Sequence, residues 1–141
     1  MSYTGRYELS VDPKGRVVVP AAFRDDFGDG SQISLRRDHI TLYGRDGWDA
    51  FITRFRELRS IGTVSSRGFM TIMASSAPVH PDTQGRFGLP QRFRDAHGIG
   101  GQVVVIGHDD HLAIYHPDRA PDLAVGDELA AFWDEFESLP L

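Results

Sequence analysis

The chain has 141 residues, 40% of them hydrophobic and 25% charged, with nine Phe and two Trp to supply a core. That fits one compact domain or two intimately merged small ones. No stretch approaches the roughly 20 apolar residues that span a bilayer, and Met1–Arg6 lacks the apolar run of a signal peptide, so a cytoplasmic protein is expected. The absence of cysteine excludes disulfides and thiolate metal sites and agrees with a reducing compartment. The formal charge of −5 speaks against a polyanion partner, but it is unevenly spread. Residues 1–60 hold ten Lys and Arg against nine Asp and Glu, whereas residues 61–141 hold five against eleven. Seven of those acids fall in Asp118–Leu141, so an acidic tail can sit far from a basic working face.

In chain order, Tyr7–Val11 and Val17–Val19 read as strands on either side of Asp12-Pro13-Lys14-Gly15. Asp, Pro and Gly there suit a type I turn closed by a left-handed Gly15, the chemistry of a three-residue hairpin with a bulge. A short helix is predicted next, with Pro20 in its first turn and Gly28 ending it. Short strands follow near 32–36 and 39–43. Asp46 is a candidate N-cap for a helix whose apolar stripe is Trp48, Phe51, Ile52, Phe55 and Leu58. Phe69, Met70, Ile72 and Met73 predict a second, shorter helix.

The chain then repeats itself. Asp12 to Asp25 recurs as Asp82 to Asp95, an offset of 70 with seven of 14 positions identical. Asp82-Thr83-Gln84-Gly85 keeps the turn chemistry without the Pro, and Pro90 and Gly98 repeat the helix signals. Strands are predicted again near 102–106 and 111–115. With two residues of slippage, Asp38-His39-Ile40-Thr41-Leu42-Tyr43 matches Asp110-His111-Leu112-Ala113-Ile114-Tyr115. Pro117 and Pro121 interrupt the segment where a helix would match residues 46–60. Asp127 is a candidate cap for a last helix carrying Leu129, Phe132, Trp133 and Phe136 on one stripe. The expectation is a mainly β protein with short α-helices (α+β), divided as a first module in 1–60 and a second in 61–141.

The repeated tips carry the functional signal. Lys14 and Arg16 lie two apart at the first turn, and Gln84 and Arg86 take the same places at the second. A two-stranded ribbon fits the major groove of DNA, where Arg forks onto guanine, Gln onto adenine, and Lys serves base or phosphate. A basic turn is also a common way to end any hairpin, so the tip alone does not decide.

The whole unit decides more. Asp-x-Lys-Gly-Arg-x-x-x-Pro-x-x-Phe-Arg, with its second copy Asp-x-Gln-Gly-Arg-x-x-x-Pro-x-x-Phe-Arg, resembles the MraZ family of the AbrB-like (SpoVT–AbrB) superfamily. The likeness extends to Tyr3-x-Gly5-x-Tyr7, the Ala77 region, Val103-Val104-Val105-Ile106-Gly107 and Phe136-Glu137-Ser138-Leu139. It implies a duplicated swapped-hairpin β-barrel whose two halves form a pseudo-dimer within one chain. It also implies a ring-shaped homo-oligomer that presents its tips to short direct repeats in the promoter of a division and cell-wall gene cluster, its own gene included. Lys14, Arg16, Gln84 and Arg86 are then the DNA-contacting candidates. Asp12, Gly15, Asp82 and Gly85 form the turns, and Arg24 and Arg94 either contact phosphate or pair with Asp25 and Asp95. No cofactor, membrane partner or small-molecule substrate is expected, and the protein is placed at the nucleoid.

Gly88 departs from the family pattern, standing where an apolar strand residue is usual, and is expected to loosen the second hairpin. Two alternatives remain. AbrB-like domains also serve as antitoxins, and the acidic C-terminal stretch with Phe132, Trp133 and Phe136 would cover a basic partner protein. A metal-dependent hydrolase would draw on His108-Asp109-Asp110-His111 and His116, although these lack a recognised ligand spacing.

Overall fold

A computed structural model describes residues 2–122 and 126–141. The first module contributes β1 (Arg6–Ser10), β2 (Arg16–Val18), a 3-10 helix (Ala21–Asp26), β3 (Gln32–Leu35) and β4 (Ile40–Tyr43). Helices α1 (Arg45–Ser60) and α2 (Ser66–Ala74) lead into β5 (Ser76–Pro78), β6 (Arg86–Gly88), α3 (Gln91–Ala96), β7 (Gln102–Gly107) and β8 (Leu112–Tyr115). A 3-10 turn (Pro117–Arg119) occupies the proline-interrupted segment, and α4 (Asp127–Glu137) lies near the C-terminus. The duplicated, mixed α+β architecture expected from the sequence is present.

The two strands flanking each turn do not pair with each other. β1 runs antiparallel to β7 of the second module, and β5, the counterpart of β1, runs antiparallel to β3 of the first. The resulting six-stranded sheet has the order β1-β7-β8-β4-β3-β5. β2 and β6 pair only with one another, as a separate antiparallel ribbon. Val17 lies opposite Phe87 and Thr41 opposite Ala113, pairs that are each other's counterparts in the repeat, so a pseudo-twofold axis passes through both ladders.

Ribbon and sheet enclose one core. Val17, Val19, Phe87 and Leu89 face Ile33, Ile40, Leu42, Val103, Val105, Leu112 and Ile114, with Phe23, Phe27 and Phe93 filling the ends. At ~25 cal/mol per Å² of buried apolar surface, this shared core is the main force joining the modules. Each half leaves an arm in the other.

The arms are not quite equivalent. Ser10 lies opposite Gln102, whereas Gln32, the counterpart of Gln102, lies opposite Pro78 rather than His80. In the first arm the Val11 N–H donates to the Gly101 carbonyl; its counterpart Pro81 has no N–H, and the Val79 N–H bonds the Ser31 carbonyl instead. A slip of two residues keeps each side chain on its own face, so the core tolerates it.

Some predicted caps are corrected. Gly44 and Gly126 occupy the N-cap positions of α1 and α4, and Asp46 and Asp127 fall inside the first turns. There their carboxylates still complement the positive helix end. Pro20 and Pro90 are N-caps rather than first-turn residues. Gly98 takes the left-handed conformation after α3 (φ +62°), while in the first module that conformation falls on Gly30 (φ +88°) and not on Gly28. The stripe of α1 buries Ile52 and continues an aromatic stack from Tyr43 through Phe51 and Phe55 to Phe69 of α2.

Candidate nucleic-acid interface

Each tip is an aspartate-organised turn, built twice with the same bonds. The Asp12 Oδ1 accepts from the backbone N–H of Lys14 (2.9 Å) and Arg16 (2.8 Å), while Oδ2 accepts from the Arg16 Nε (2.6 Å). Asp82 does the same for the N–H of Gln84 and Arg86 (2.9 Å each) and for the Arg86 Nε (2.8 Å). The Gly15 N–H donates to the Asp12 carbonyl and the Gly85 N–H to the Asp82 carbonyl, with φ of +79° and +78°. Glycine is needed there because a side chain in the left-handed region costs about 1–2 kcal/mol. The aspartates thus hold each arginine by its Nε.

Accepting these bonds, above all the backbone bond from Arg16 or Arg86, lowers the Asp12 and Asp82 carboxyls below their ordinary value of 3.8. A carboxyl lowered in the folded state contributes fully above the unfolded value and is lost as pH falls through the folded one. The Lys14 and Arg16 amide resonances are therefore expected to shift together in acid with a midpoint below 3.8. A midpoint above 3.8 in an NMR titration would remove the carboxylate from this role.

The ribbon between the tips sets their spacing. Arg16 lies opposite Gly88 and Val18 opposite Arg86, so these four residues share one face while Val17 and Phe87 point into the core. Strand rise and spacing put the Arg16 and Arg86 Cα atoms about 8 Å apart on a diagonal, a span of roughly two to three base steps. The side chains of Arg16 and Arg86 are 33% and 36% exposed. Gly88 is exposed, and a Cβ added to it would meet nothing within 4 Å. It does not interrupt the ribbon, because the Leu89 N–H still bonds the Gly15 carbonyl.

Arg24 and Arg94 are placed beneath the tips, and each reaches across the pseudo-twofold axis. A Cβ on Gly15 would come within 2.7 Å of the Arg94 guanidinium carbon, and one on Gly85 within 2.8 Å of the Arg24 Cδ. Arg94 Nε donates to the Leu89 carbonyl at 2.9 Å and Arg24 to the Val19 carbonyl at 3.3 Å. Each arginine therefore braces the strand after its own tip while its side chain underlies the tip of the other module. This packing had no sequence signal beyond the repeat itself.

The histidine segment does not assemble as a metal centre. His39 and His111, counterparts in the repeat, stack with ring centroids 6.4 Å apart, and His108 stacks on His111 at 4.7 Å. His39 Nδ1 and His111 Nδ1 are engaged by Asp38 and Asp110, and His116 Nδ1 accepts from the Asp118 N–H. Among the described residues no group of three or more ligating side chains converges. The cavity of about 570 Å³ near α1 is lined by Asp25, Asp26, Asp29, Asp46 and Asp110 with Arg45, and includes no tip residue.

Strand exchange between two tandem modules, with a pair of aspartate-braced arginine tips on one ribbon, defines a duplicated swapped-hairpin protein. Comparison with known proteins gives the family. Residues 3–67 and 72–120 match the family model described as "MraZ protein, putative antitoxin-like". Similar relatives named Transcriptional regulator MraZ come from Roseiflexus castenholzii (32% identity over 119 residues, 83% of this chain and 82% of that protein) and Corynebacterium diphtheriae (32% over 139 residues, 96% and 94%). A third, from Mycolicibacterium smegmatis, is 32% identical over 115 residues, 80% of each chain. The chain belongs to the MraZ family.

Proposed function

We propose that this protein is a sequence-specific DNA-binding transcriptional regulator and not an enzyme. On this reading it acts on short direct repeats in the promoter of the division and cell-wall gene cluster that includes its own gene. The observation that carries the reading is the identical bracing of Arg16 and Arg86 on one exposed ribbon face. A guanidinium held by its Nε presents its remaining nitrogens as a fork, the geometry that matches guanine O6 and N7. Lys14 and Gln84 flank the two forks, as a phosphate or guanine contact and an adenine reader respectively. The relatives' shared name of transcriptional regulator supports the same assignment.

One tip pair contacts too few bases for useful affinity, so several copies must act together. Helix α4 supports an assembly. Phe132, Trp133 and Phe136 pack on one another yet stay exposed, Trp133 by half, among Asp134, Glu135 and Glu137. Such a face belongs at an intermolecular contact, and we assign it to a homo-oligomeric ring. A basic heterologous partner, as in an antitoxin, is the second reading that this helix favours. No helix among the described residues is long and apolar enough to cross a membrane, and the proposed site of action is the cytoplasmic nucleoid.

The test is binding of the purified protein to a fragment from immediately upstream of its gene, at two salt concentrations, with its mass measured in solution. Specific binding that weakens steeply with salt, by a species several times the 15.7 kDa chain, is expected. A well-folded monomer that shows no preference for the fragment would remove the proposal. Co-purification with a second protein would move α4 to the antitoxin reading.

A further inference from the structure

Resting on the DNA-binding reading above, the ribbon carries one more feature that bears on sequence choice. Its outer face holds four positions related in pairs by the pseudo-twofold axis: Arg16 with Arg86, and Val18 with Gly88. The arginine pair is symmetric in identity and in bonding. The other pair is not. Val18 is 37% exposed, directly opposite Arg86 and two residues along its own strand from Arg16, whereas Gly88 leaves an open position opposite Arg16.

This branched aliphatic side chain beside two arginines stands outside the core cluster, which Val17 and Val19 enter from the same strand with 1% and 0% exposure. It lies on the face that the proposed function turns toward the major groove. Among the base edges there, the thymine C5 methyl is the apolar group, and small aliphatic side chains recognise it by contact. The flanking residues differ in the same sense. The half-surface of Val18 and Arg86 includes Gln84, which matches adenine, while the half-surface of Gly88 and Arg16 includes Lys14, which matches guanine or phosphate.

We infer that Val18 is a specificity-determining residue that packs against a thymine methyl. The Gln84–Arg86–Val18 half then takes the A·T-containing end of each repeat and the Lys14–Arg16–Gly88 half the G·C end. The pseudo-symmetric ribbon thereby reads in one direction, as a direct repeat requires. Gly88 is part of this reading, because a side chain there would restore the symmetry.

The test compares two versions of the upstream fragment, amplified with thymidine or with deoxyuridine triphosphate. Uracil keeps every hydrogen-bonding group of thymine and lacks only the methyl. The wild-type protein is expected to bind the uracil fragment about fourfold more weakly for each contacted methyl. Val18→Gly, which removes the side chain and copies Gly88, is expected to bind both fragments alike, at the level of wild type on uracil DNA. Because Val18 is outside the core cluster, the variant should stay folded with a melting temperature lowered by only a few degrees, which is measured alongside. Equal binding of both fragments by wild type would overturn the inference while leaving the DNA reading intact, and so would a thymine preference that survives in Val18→Gly. Absence of specific binding to either fragment would overturn both.

Discussion

Arg16→Ala combined with Arg86→Ala is expected to abolish specific binding to the upstream fragment while leaving the chain folded. Each forked contact to a guanine discriminates by about 1–3 kcal/mol, roughly fivefold to 150-fold. Losing one from each half of the ribbon multiplies these factors if the sites are independent, and an oligomer multiplies them again. The turns should survive, because Asp12 still accepts from the Lys14 and Arg16 backbone N–H groups and Asp82 from those of Gln84 and Arg86. Arg16→Lys separates charge from geometry. It keeps the cation but loses the fork, so discrimination should fall while the dependence on salt stays near that of wild type. Fluorescence anisotropy at two salt concentrations, with a thermal melt of each variant, checks both. A double variant that binds the fragment as tightly as wild type would place recognition elsewhere.

How much of this was legible in the sequence depends on what kind of constraint each residue answers. Asp12, Gly15, Pro20 and Phe23 return at an offset of 70 because a carboxylate-braced turn, a left-handed position, a fixed φ and a core ring each admit few alternatives. The repeat therefore announced the tips. Strand exchange left no comparable trace. Period-two patterning fixes which face of Tyr7–Val11 is buried but is silent on which neighbour supplies the hydrogen bonds, so exchange was expected only through the family resemblance and the pairing of β1 with β7 came from the structure. Val17-Val18-Val19 reads as an unbroken apolar run, the pattern of a strand buried on both faces. In the structure it is buried on one face only, and the exposed middle residue was invisible until the ribbon was seen. Gly88 was the visible half of that asymmetry, met as an anomaly in its own strand. The caps failed for a smaller reason: Asp46 and Asp127 have the right chemistry but sit two and one residues after the glycines that begin the helices.

The braces beneath the tips lead to the second large effect. Gly15→Ala is expected to cost about 2.5–5 kcal/mol, from two separable sources. The left-handed φ of +79° penalises any Cβ by about 1–2 kcal/mol. The remainder comes from Arg94, whose guanidinium carbon would lie 2.7 Å from the new Cβ. That side chain is not free to swing aside, since its Nε donates to the Leu89 carbonyl at 2.9 Å and the Leu89 N–H in turn donates to Gly15. Displacing it breaks a hydrogen bond from a charged donor, worth about 1.5–3 kcal/mol. In an Arg94→Ala background the second source is already gone, so Gly15→Ala should then cost only the backbone part. Arg24→Ala, on the helix next to the first tip in sequence, should give no such relief because Arg24 lies beneath Gly85 instead. Denaturant unfolding of the four variants in each cycle measures the coupling. A Gly15→Ala cost unchanged by Arg94→Ala, or relieved as much by Arg24→Ala, would show that the tips are held within their own modules. Coupling through Arg94 alone would mean that the first tip, although its turn is closed by its own Asp12, is seated on a side chain of the second module, so that damage to the second module reaches the seat of Arg16.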